Sequence, residues 1–453
     1  MSLKFYKTPG AGRPWRPPIM EEDCRSYRRR AKRTSRWIPP RLGFEEVIRN
    51  KTESKAFVAN ANTHPQPCSL NDFMDYLVYV EQDAELLQFF LWYCGYVHEW
   101  TTALTPEQRA LAPRWDPDRG RKLSPRERRA RNTSKVSNIL EMLDEESDHH
   151  QVGKAGGGHR RDVSSAARSS PSSVTVVNEE KTLESKKDGG LQALPASQPF
   201  RADIDAVTSH YINPNAPRRL NLTKDDRNAV LAATSATTHP SALLPAFEKA
   251  EALLRGKLHP DFIRHSMANA NRAATHLLRL LGLVLLVLGL GLDAALILSS
   301  FSRYYRLLSM PLLFLGLAVL IAALDGVSLR LHLSRRRHVR PWEVSDLEAG
   351  TGADKRHRHA ATFVSVAGAV DPLRKPSLQT MGPENVFSDE EWFAAYKRRW
   401  LWRRVFERTS GSRNPHLRIL QDGVVAGAVL WAALATVGVG AGSIFIPSYN
   451  MFG

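Results

Sequence analysis

A cluster of alternating aromatic and basic residues is the part of this sequence best suited to binding chemistry. It occupies residues 390–407, EEWFAAYKRRWLWRRVFE. The side chains that we expect to face lipid are Trp392, Arg398, Arg399, Trp400, Trp402, Arg403 and Arg404. On a helix in the membrane interface, aromatic rings sit at headgroup depth and guanidinium groups contact anionic lipid. Such clusters also bind nucleic acid, but a membrane helix predicted soon afterwards favours anionic lipid, and we predict no nucleic-acid partner.

Residues suited to catalysis or metal binding are sparse. His149 with His150, and His357 with His359, stand in polar segments without the spacing of metal ligands. The sequence has no glycine-rich phosphate loop and no nucleophile elbow. Its cysteines, which form no CxxC pair, are Cys24, Cys68 and Cys94. This excludes a disulfide scaffold and a zinc ribbon, and we predict no cofactor, no metal and no active site of the chain's own.

Three long apolar runs are expected to place the aromatic and basic segment 390–407 at a membrane. A helix needs about 20 apolar residues to cross the hydrocarbon core, and the sequence predicts such helices at 277–301, 304–325 and 423–447. The first two are almost contiguous, which predicts a tight hairpin with residues 303–306, RYYR, as a belt at the membrane surface. A buried helical hairpin in a soluble domain is the alternative, but runs this long and leucine-rich are uncommon in soluble cores.

Two intramembrane features could carry function. Asp293 lies near the end of the first predicted span, where a charge is costly unless it is hydrated or paired. We expect it at interface depth, near the basic belt. The third span contains Gly423 with Gly427 and Gly438 with Gly442, and this spacing permits close approach of another helix.

The charge distribution predicts the orientation. The chain has 63 Lys+Arg and 46 Asp+Glu, which gives a formal net charge of +17. The excess is concentrated in the N-terminal tail, in residues 116–199 and beside the membrane helices, where it sets topology. The N-terminus has no apolar core of a secretory signal. We therefore expect three spans in the plasma membrane or an endomembrane, with the N-terminal domain and residues 330–422 in the cytosol.

The remaining chain divides by composition. We predict a basic N-terminal tail at 1–42, helical segments at 43–115 and 200–272, and a disordered insert at 116–199, rich in Ser, Gly and Arg. Large apolar residues recur at spacings of three and four residues in the helical segments, which is typical of α-helices. Ser69 is the predicted N-cap of the first of these helices. Turns are predicted at His239-Pro240 and His259-Pro260. The residues outside the membrane therefore predict an all-α domain.

Four strings resemble the regulator-of-G-protein-signalling (RGS) domain, in family order. SLNDFMDYL followed by EQDAELLQFFLWYCGY resembles its opening, RRLNLTKDDRNAVL its central helix start, and AFEKAEALLRGKLHPDFIRHSMAN its final helices. The resemblance covers about residues 43–112 and 200–272. With three membrane helices after it, the arrangement is similar to the fungal bud-site-selection proteins of the revert-to-axial family. That resemblance implies an RGS-like helical bundle, a membrane-anchored polarity cue, a partner membrane protein and a place at the plasma membrane or cell tips.

The resemblance also implies contacts to a G-protein α subunit (Gα). The corresponding positions are Glu85, Leu86, Asn221, Leu253, Lys257 and Asp261. Active family members clamp the Gα switch regions with Asn, Asp and Arg side chains. Asn221 and Leu253 match that pattern, whereas Leu86, Lys257 and Asp261 depart from it, and Asn221 has the alternative role of capping its helix. The leading hypothesis is a membrane-tethered interaction protein in cell polarity; the alternative is a GTPase-activating regulator of Gα.

Overall fold

The computed structural model describes residues 16–49, 68–115, 198–299, 301–343, 379–385, 391–411 and 414–447. These residues are mostly helical, with one two-stranded antiparallel sheet, so the predicted α-helical class is confirmed at that level. The predicted disordered insert lies outside the described residues except for its last two positions. The chain divides into two units. The smaller holds Cys94–Asp205 and Ala232–Ala242, and the larger holds the rest.

Among the described residues, the α-helices range from 5 to 31 residues in length. The first nine helices are α1 (Glu21–Thr34), α2 (Phe44–Arg49), α3 (Leu70–Tyr76), α4 (Ala84–Thr102), α5 (Pro106–Ala110), α6 (Arg201–Val207), α7 (Lys224–Ala236), α8 (Leu244–Leu253) and α9 (His259–Met267). They are followed by α10 (Arg272–Leu298), α11 (Met310–Leu324), α12 (Leu329–Leu333), β1 (Arg336–His338), α13 (Glu391–Arg398), α14 (Leu401–Val405), β2 (Thr409–Gly411) and α15 (Pro415–Phe445). Wide π-helical turns continue α3, α6 and α8 at Leu77–Glu81, Thr208–Ile212 and Leu254–Leu258. The 3-10 turns are Pro40–Leu42, Pro240–Ala242 and Arg303–Ser309.

Local capping follows the sequence at α3, and at α7 it falls on the threonine of the predicted Asn/Thr cap signal and not on the asparagine. The Asp72 backbone N–H donates to Ser69 Oγ at 3.2 Å, and the Ser69 N–H donates back to the Asp72 carboxylate at 3.1 Å. This capping box starts α3 at the predicted Ser69. At α7 the cap is Thr223, whose hydroxyl accepts the Asp226 N–H at 3.1 Å. The predicted capping role of Asn221 is therefore wrong, because the helix begins two residues later than that role requires.

The predicted turn at His259-Pro260 is also absent. Helix α8 passes through a π-helical turn directly into α9. Pro260 is the second residue of α9 and follows directly on this π-helical turn. The turn at Pro240 is present as a 3-10 segment.

An aromatic core fills the larger unit. Phe73 packs on Phe262 with ring centroids 4.9 Å apart, and Phe247 stacks on Phe90 at 5.2 Å and on Tyr93 at 4.4 Å. All five rings are fully buried. They come from α3, α4, α8 and α9, so the segments on both sides of the insert share one core.

The smaller unit has its own polar and aromatic contacts. The Tyr96 hydroxyl donates to the Thr238 carbonyl at 2.5 Å, and the Thr238 N–H donates to the Gln198 side-chain oxygen at 2.8 Å. The Trp100 ring lies 5.5 Å from the His239 ring, edge to face. Burial lowers the pKa of His239 to about 4, so this imidazole is neutral at pH 7.

Among the residues that the structure describes, three helical segments are long and apolar enough to cross a membrane, namely Arg272–Leu298, Arg303–Leu324 and Pro415–Phe445. The first and third begin earlier than the apolar runs predicted, at 272 rather than 277 and at 415 rather than 423. Asn271 and Asn414 cap them, so each helix extends beyond its apolar run. Between α10 and α11 the backbones approach closely, since a Cβ on Gly282 would lie 2.9 Å from the Leu320 backbone nitrogen.

Two regions predicted as a tail and a loop are folded where the structure describes them. Within the predicted tail 1–42, helix α1 packs on the π-helical turn after α8, with Cys24 fully buried. Within the predicted loop 330–422, β1 pairs with β2, with Arg337 opposite Ser410. Arg337 binds Glu343 through two hydrogen bonds of 2.9 and 3.1 Å. Burial raises the pKa of Glu343, but the guanidinium groups of Arg337 and Arg340 outweigh it and hold that pKa below its ordinary value.

Candidate partner-binding face and membrane-proximal aromatic cluster

The first part of the predicted Gα-contact face lies at the start of α4. Glu85 is only 2% exposed, and Leu86 is buried in the core. Arg16 covers the carboxylate, with its Nη1 3.1 Å from Glu85 Oε1 and its Nη2 2.9 Å from the Glu81 carbonyl oxygen. The same guanidinium pairs with Asp83. Two buried carboxylates at this helix start thus share one cation, which offsets part of the cost of burying their charges.

The second part lies at the start of α7. The Asn221 carbonyl oxygen accepts the Ile19 N–H at 2.8 Å. The Ile19 carbonyl oxygen in turn accepts from the Lys249 ammonium at 3.2 Å, and Lys249 also pairs with Asp226. The residues before α1 therefore lie across Asn221 as an extended strap.

The third part surrounds the π-helical turn between α8 and α9. Leu253 is buried in the core, and Arg30 of α1 binds the Asp261 carboxylate at 3.0 Å. Burial raises the pKa of Asp261 and outweighs the opposing effect of Arg30. Lys257 is half-buried on the same turn. Next to it, the Gly256 backbone is so close to Tyr27 of α1 that a Cβ would lie 2.4 Å from the Tyr27 carbonyl oxygen.

The chain's own N-terminal segment therefore occupies the face that the resemblance assigns to Gα. Residues 16–34 contact Glu85, Asn221 and Asp261, while Leu86 and Leu253 are core residues. Reading residues 1–42 as a tail missed this arrangement. The signal that could have found it is the helix pattern of α1, with acidic residues in its first turn, basic residues in its last turn and Cys24, Tyr27 and Thr34 on its inward side.

Within the aromatic and basic segment 390–407, the described residues form two short helices, not the single interfacial helix predicted. The break falls between α13 and α14, at Arg399 and Trp400. Trp392 is only 9% exposed and lies edge to face with Tyr79 at 5.2 Å. Tyr79 also stacks on Trp342 at 5.1 Å. The prediction that Trp392 faces lipid is wrong, because these rings supply a protein partner that the sequence pattern could not show.

Two of the predicted lipid-binding arginines have protein partners. Arg399 binds Glu407 at 2.9 Å, and the Arg404 guanidinium lies 4.9 Å from the centre of the Tyr396 ring. Glu407 also accepts from the Asn271 amide at 3.1 Å. Burial raises the pKa of Glu407 and outweighs these opposing contacts. These residues join α13 and α14 to the start of α10.

The other members of the predicted lipid-facing set are exposed. They are Arg398, Trp400, Trp402 and Arg403. Trp400 is 68% exposed and Trp402 51%. This subset therefore has the exposure that an interfacial site requires, and it lies beside α10, which is long and apolar enough to cross a membrane.

The far end of the membrane helices carries a buried polar cluster instead of a uniform surface belt. Arg306 is fully buried and donates to the carbonyl oxygens of Ser443 and, at 2.7 Å, Ile446 at the end of α15. Asp293 is also buried and accepts from the Ser309 hydroxyl at 3.3 Å. The interface depth expected for Asp293 stays a prediction, whereas the structure shows that its carboxylate is covered by protein at this end. Tyr304, another residue of the predicted belt, is exposed.

The paired glycines of α15 point away from the other two membrane helices. A Cβ on Gly423, Gly427, Gly438 or Gly442 would meet no atom within 4 Å. Gly440, in contrast, packs against the Met310 side chain of α11. The glycine pairs are therefore an outward surface of α15 among the described residues.

Residues able to hold a metal ion do not come together in the part of the chain that the structure describes, where no group of three or more His, Cys, Asp or Glu has suitable geometry. The three cysteines are buried thiols, and burial raises the pKa of Cys68 to about 12. His149, His150, His357 and His359 lie outside the described residues.

Comparison with protein-family models, with curated proteins and with solved structures finds no match for this chain.

Proposed function

We propose that this chain is a membrane-tethered, RGS-like interaction protein that acts in cell polarity, at a bud site or a growing tip. The observation that carries the proposal is the joint between the helical bundle and the membrane helices. The Asn269 side chain donates to the Ser328 carbonyl at 3.1 Å and accepts the Ser328 N–H at 2.7 Å. Gln421 of α15 donates to the Met267 carbonyl at 2.8 Å.

Such a joint holds the helical bundle at a fixed height instead of on a loose linker. Confining a binding domain to the surface that carries its partner raises the effective concentration without new contacts. A modest affinity of the bundle for its partner then suffices. The sequence resemblance supplies the setting, a polarised fungal membrane with a second membrane protein as partner, and the outward glycine pairs of α15 are a surface where the helix of that protein could pack.

The positive-inside rule supports a cytosolic bundle. The exposed arginines Arg330, Arg335 and Arg336 follow α11 on the side of the bundle, whereas Arg303 is the exposed arginine at the opposite ends of α10 and α11. The protein then belongs in the plasma membrane or an endomembrane, with anionic lipid on the side of the bundle.

GTPase activation is disfavoured by the position of α1. A Gα subunit could reach Glu85, Asn221 and Asp261 only after displacement of residues 16–34. Single-turnover GTP hydrolysis by the host's Gα subunits, with the full chain in lipid nanodiscs, tests this point. We expect less than about a tenfold acceleration, which corresponds to a lowering of the activation barrier by about 1.4 kcal/mol. A larger acceleration would contradict the interaction-only proposal and favour a GTPase-activating regulator of Gα.

Localisation tests the polarity proposal. A fluorescent fusion of the full chain, imaged during polarised growth, should concentrate at the bud site or tip. A fusion truncated before residue 277 serves as the control and should lose that concentration. An even distribution of the full chain over all membranes would sink the proposal.

A further inference from the structure

An apolar groove lies at the bundle end of the membrane helices. Its volume is about 570 Å³, within the range of about 300–1,000 Å³ typical of small-molecule sites. Residues from α10, α11 and α12 line it, among them Leu278, Leu315, Val319, Leu329, Arg330 and Leu333. All but one of these six are aliphatic, so the groove suits a hydrocarbon chain.

The groove is open where lipid is expected. Helix α12 follows four residues after α11, and Arg279 closes the turn by donating to the carbonyl oxygens of Ala323 at 3.0 Å and Leu324 at 3.2 Å. Leu333 at the groove edge is 81% exposed. In water, a leucine this exposed would leave its apolar surface unburied, at a cost in free energy. In contact with acyl chains it has no such cost, so the groove edge fits the depth where acyl chains meet headgroups.

The rim of the groove is positively charged. Arg330 lines it and is exposed, and its guanidinium makes no hydrogen bond or ion pair to any residue that the structure describes. Residues 325–340 contain five arginines and one aspartate. The nearby acid of α15, Asp422, is engaged by His332 at 3.0 Å. The rim is therefore complementary to an anionic group.

We propose that this groove binds a phospholipid with an anionic headgroup, one acyl chain lying between α10, α11 and α12 and the phosphate against Arg330. The groove accommodates an acyl chain of any diacyl lipid through van der Waals contact with its aliphatic side chains. Arg330 supplies the preference for negative charge. This site is separate from the exposed aromatic and basic residues of α13 and α14, and it does not depend on the polarity function.

Lipid retention by the purified full chain tests the proposal. The chain is exchanged into mixed micelles holding equal amounts of phosphatidylglycerol and phosphatidylcholine with identical acyl chains, and retained lipid is counted by native mass spectrometry. We expect phosphatidylglycerol to be retained in preference. Arg330→Gln should lower that preference about fivefold, the factor equivalent to about 1 kcal/mol for one arginine at a lipid surface, and should reduce phosphatidylcholine retention less, because the choline ammonium offsets the charge of its phosphate.

Two pairs of variants separate groove binding from general lipid adhesion. Leu315→Trp fills the groove and should reduce retention of both lipids, whereas Leu280→Trp, at an exposed position of α10 outside the groove, should not. Arg303→Gln removes an exposed arginine at the other end and is the control for Arg330→Gln. Equal retention of the two lipids by the full chain, or equal effects within either pair, overturns the proposal. Should Leu315→Trp fail to fold, the comparison of the two arginine variants still decides.

Discussion

The contact between α1 and the π-helical turn predicts a strong effect of one methyl group. In Gly256→Ala, the new Cβ would lie 2.4 Å from the carbonyl oxygen and 2.5 Å from the Cβ of Tyr27. These neighbours are fixed parts of α1, so the helix must move by about 1 Å to reach ordinary van der Waals separation. Overpacking of this kind costs about 1–3 kcal/mol. A helix-propensity gain of up to about 1 kcal/mol for Gly→Ala offsets only part of it.

The matched control is Gly95→Ala in α4. A Cβ at Gly95 meets nothing within 4 Å, so that variant receives the propensity gain without the clash. Thermal unfolding of the full chain in detergent should therefore give a lower midpoint for Gly256→Ala and an unchanged or higher midpoint for Gly95→Ala.

Limited trypsin digestion shows whether the loss is local to α1. This helix contains six arginine and lysine residues, and its release should speed cleavage within residues 25–33 selectively. Equal midpoints and equal cleavage rates for the two alanine variants would refute the close packing of α1 on Gly256. The same variant exposes the predicted Gα-contact face, so its GTP-hydrolysis rate tests whether α1 blocks that face.

Three further predictions concern the membrane hairpin, a buried histidine and the aromatic cluster. Gly282→Ala should lower the unfolding midpoint in detergent because its Cβ would lie 2.9 Å from the α11 backbone, whereas Gly291→Ala, with open space around it, should not. Burial lowers the pKa of His259 to about 4. The free energy of unfolding therefore holds its full contribution from neutral His259 above about pH 6.5 and loses up to about 3 kcal/mol as the pH drops to about 4. In His259→Gln, the unfolding midpoint should change less between pH 7 and pH 5. Trp392→Ala should cost about 3–5 kcal/mol as a buried ring, measured as a lowered midpoint, while exposed Trp402→Ala should change stability little and weaken liposome binding.

Features governed by neighbours along the chain could be predicted from the sequence. The three membrane-capable segments follow from the length and composition of apolar runs, and the Ser69 capping box follows from residues three apart. The mostly helical class follows from apolar residues that repeat at spacings of three and four residues. Helix ends were less predictable, since Asn271 and Asn414 start the first and third membrane helices in polar sequence, before the apolar runs begin.

Features governed by partners distant in sequence required the tertiary structure. The arginine-rich composition of residues 28–36 predicts an unfolded basic tail. In the structure, however, Arg28 binds Glu248 at 3.1 Å and Arg30 binds Asp261 at 3.0 Å. Trp392 has the spacing of a lipid-facing ring, yet Tyr79 buries it. A sequence pattern reports which side chains share a helix face, but not whether protein, lipid or water covers that face. The sequence alone thus determined the helices and three segments apolar enough to cross a membrane, and the fold decided that the predicted partner face is covered by the chain's own N-terminal segment, because only folding brings residues 16–34 onto residues more than 200 positions away.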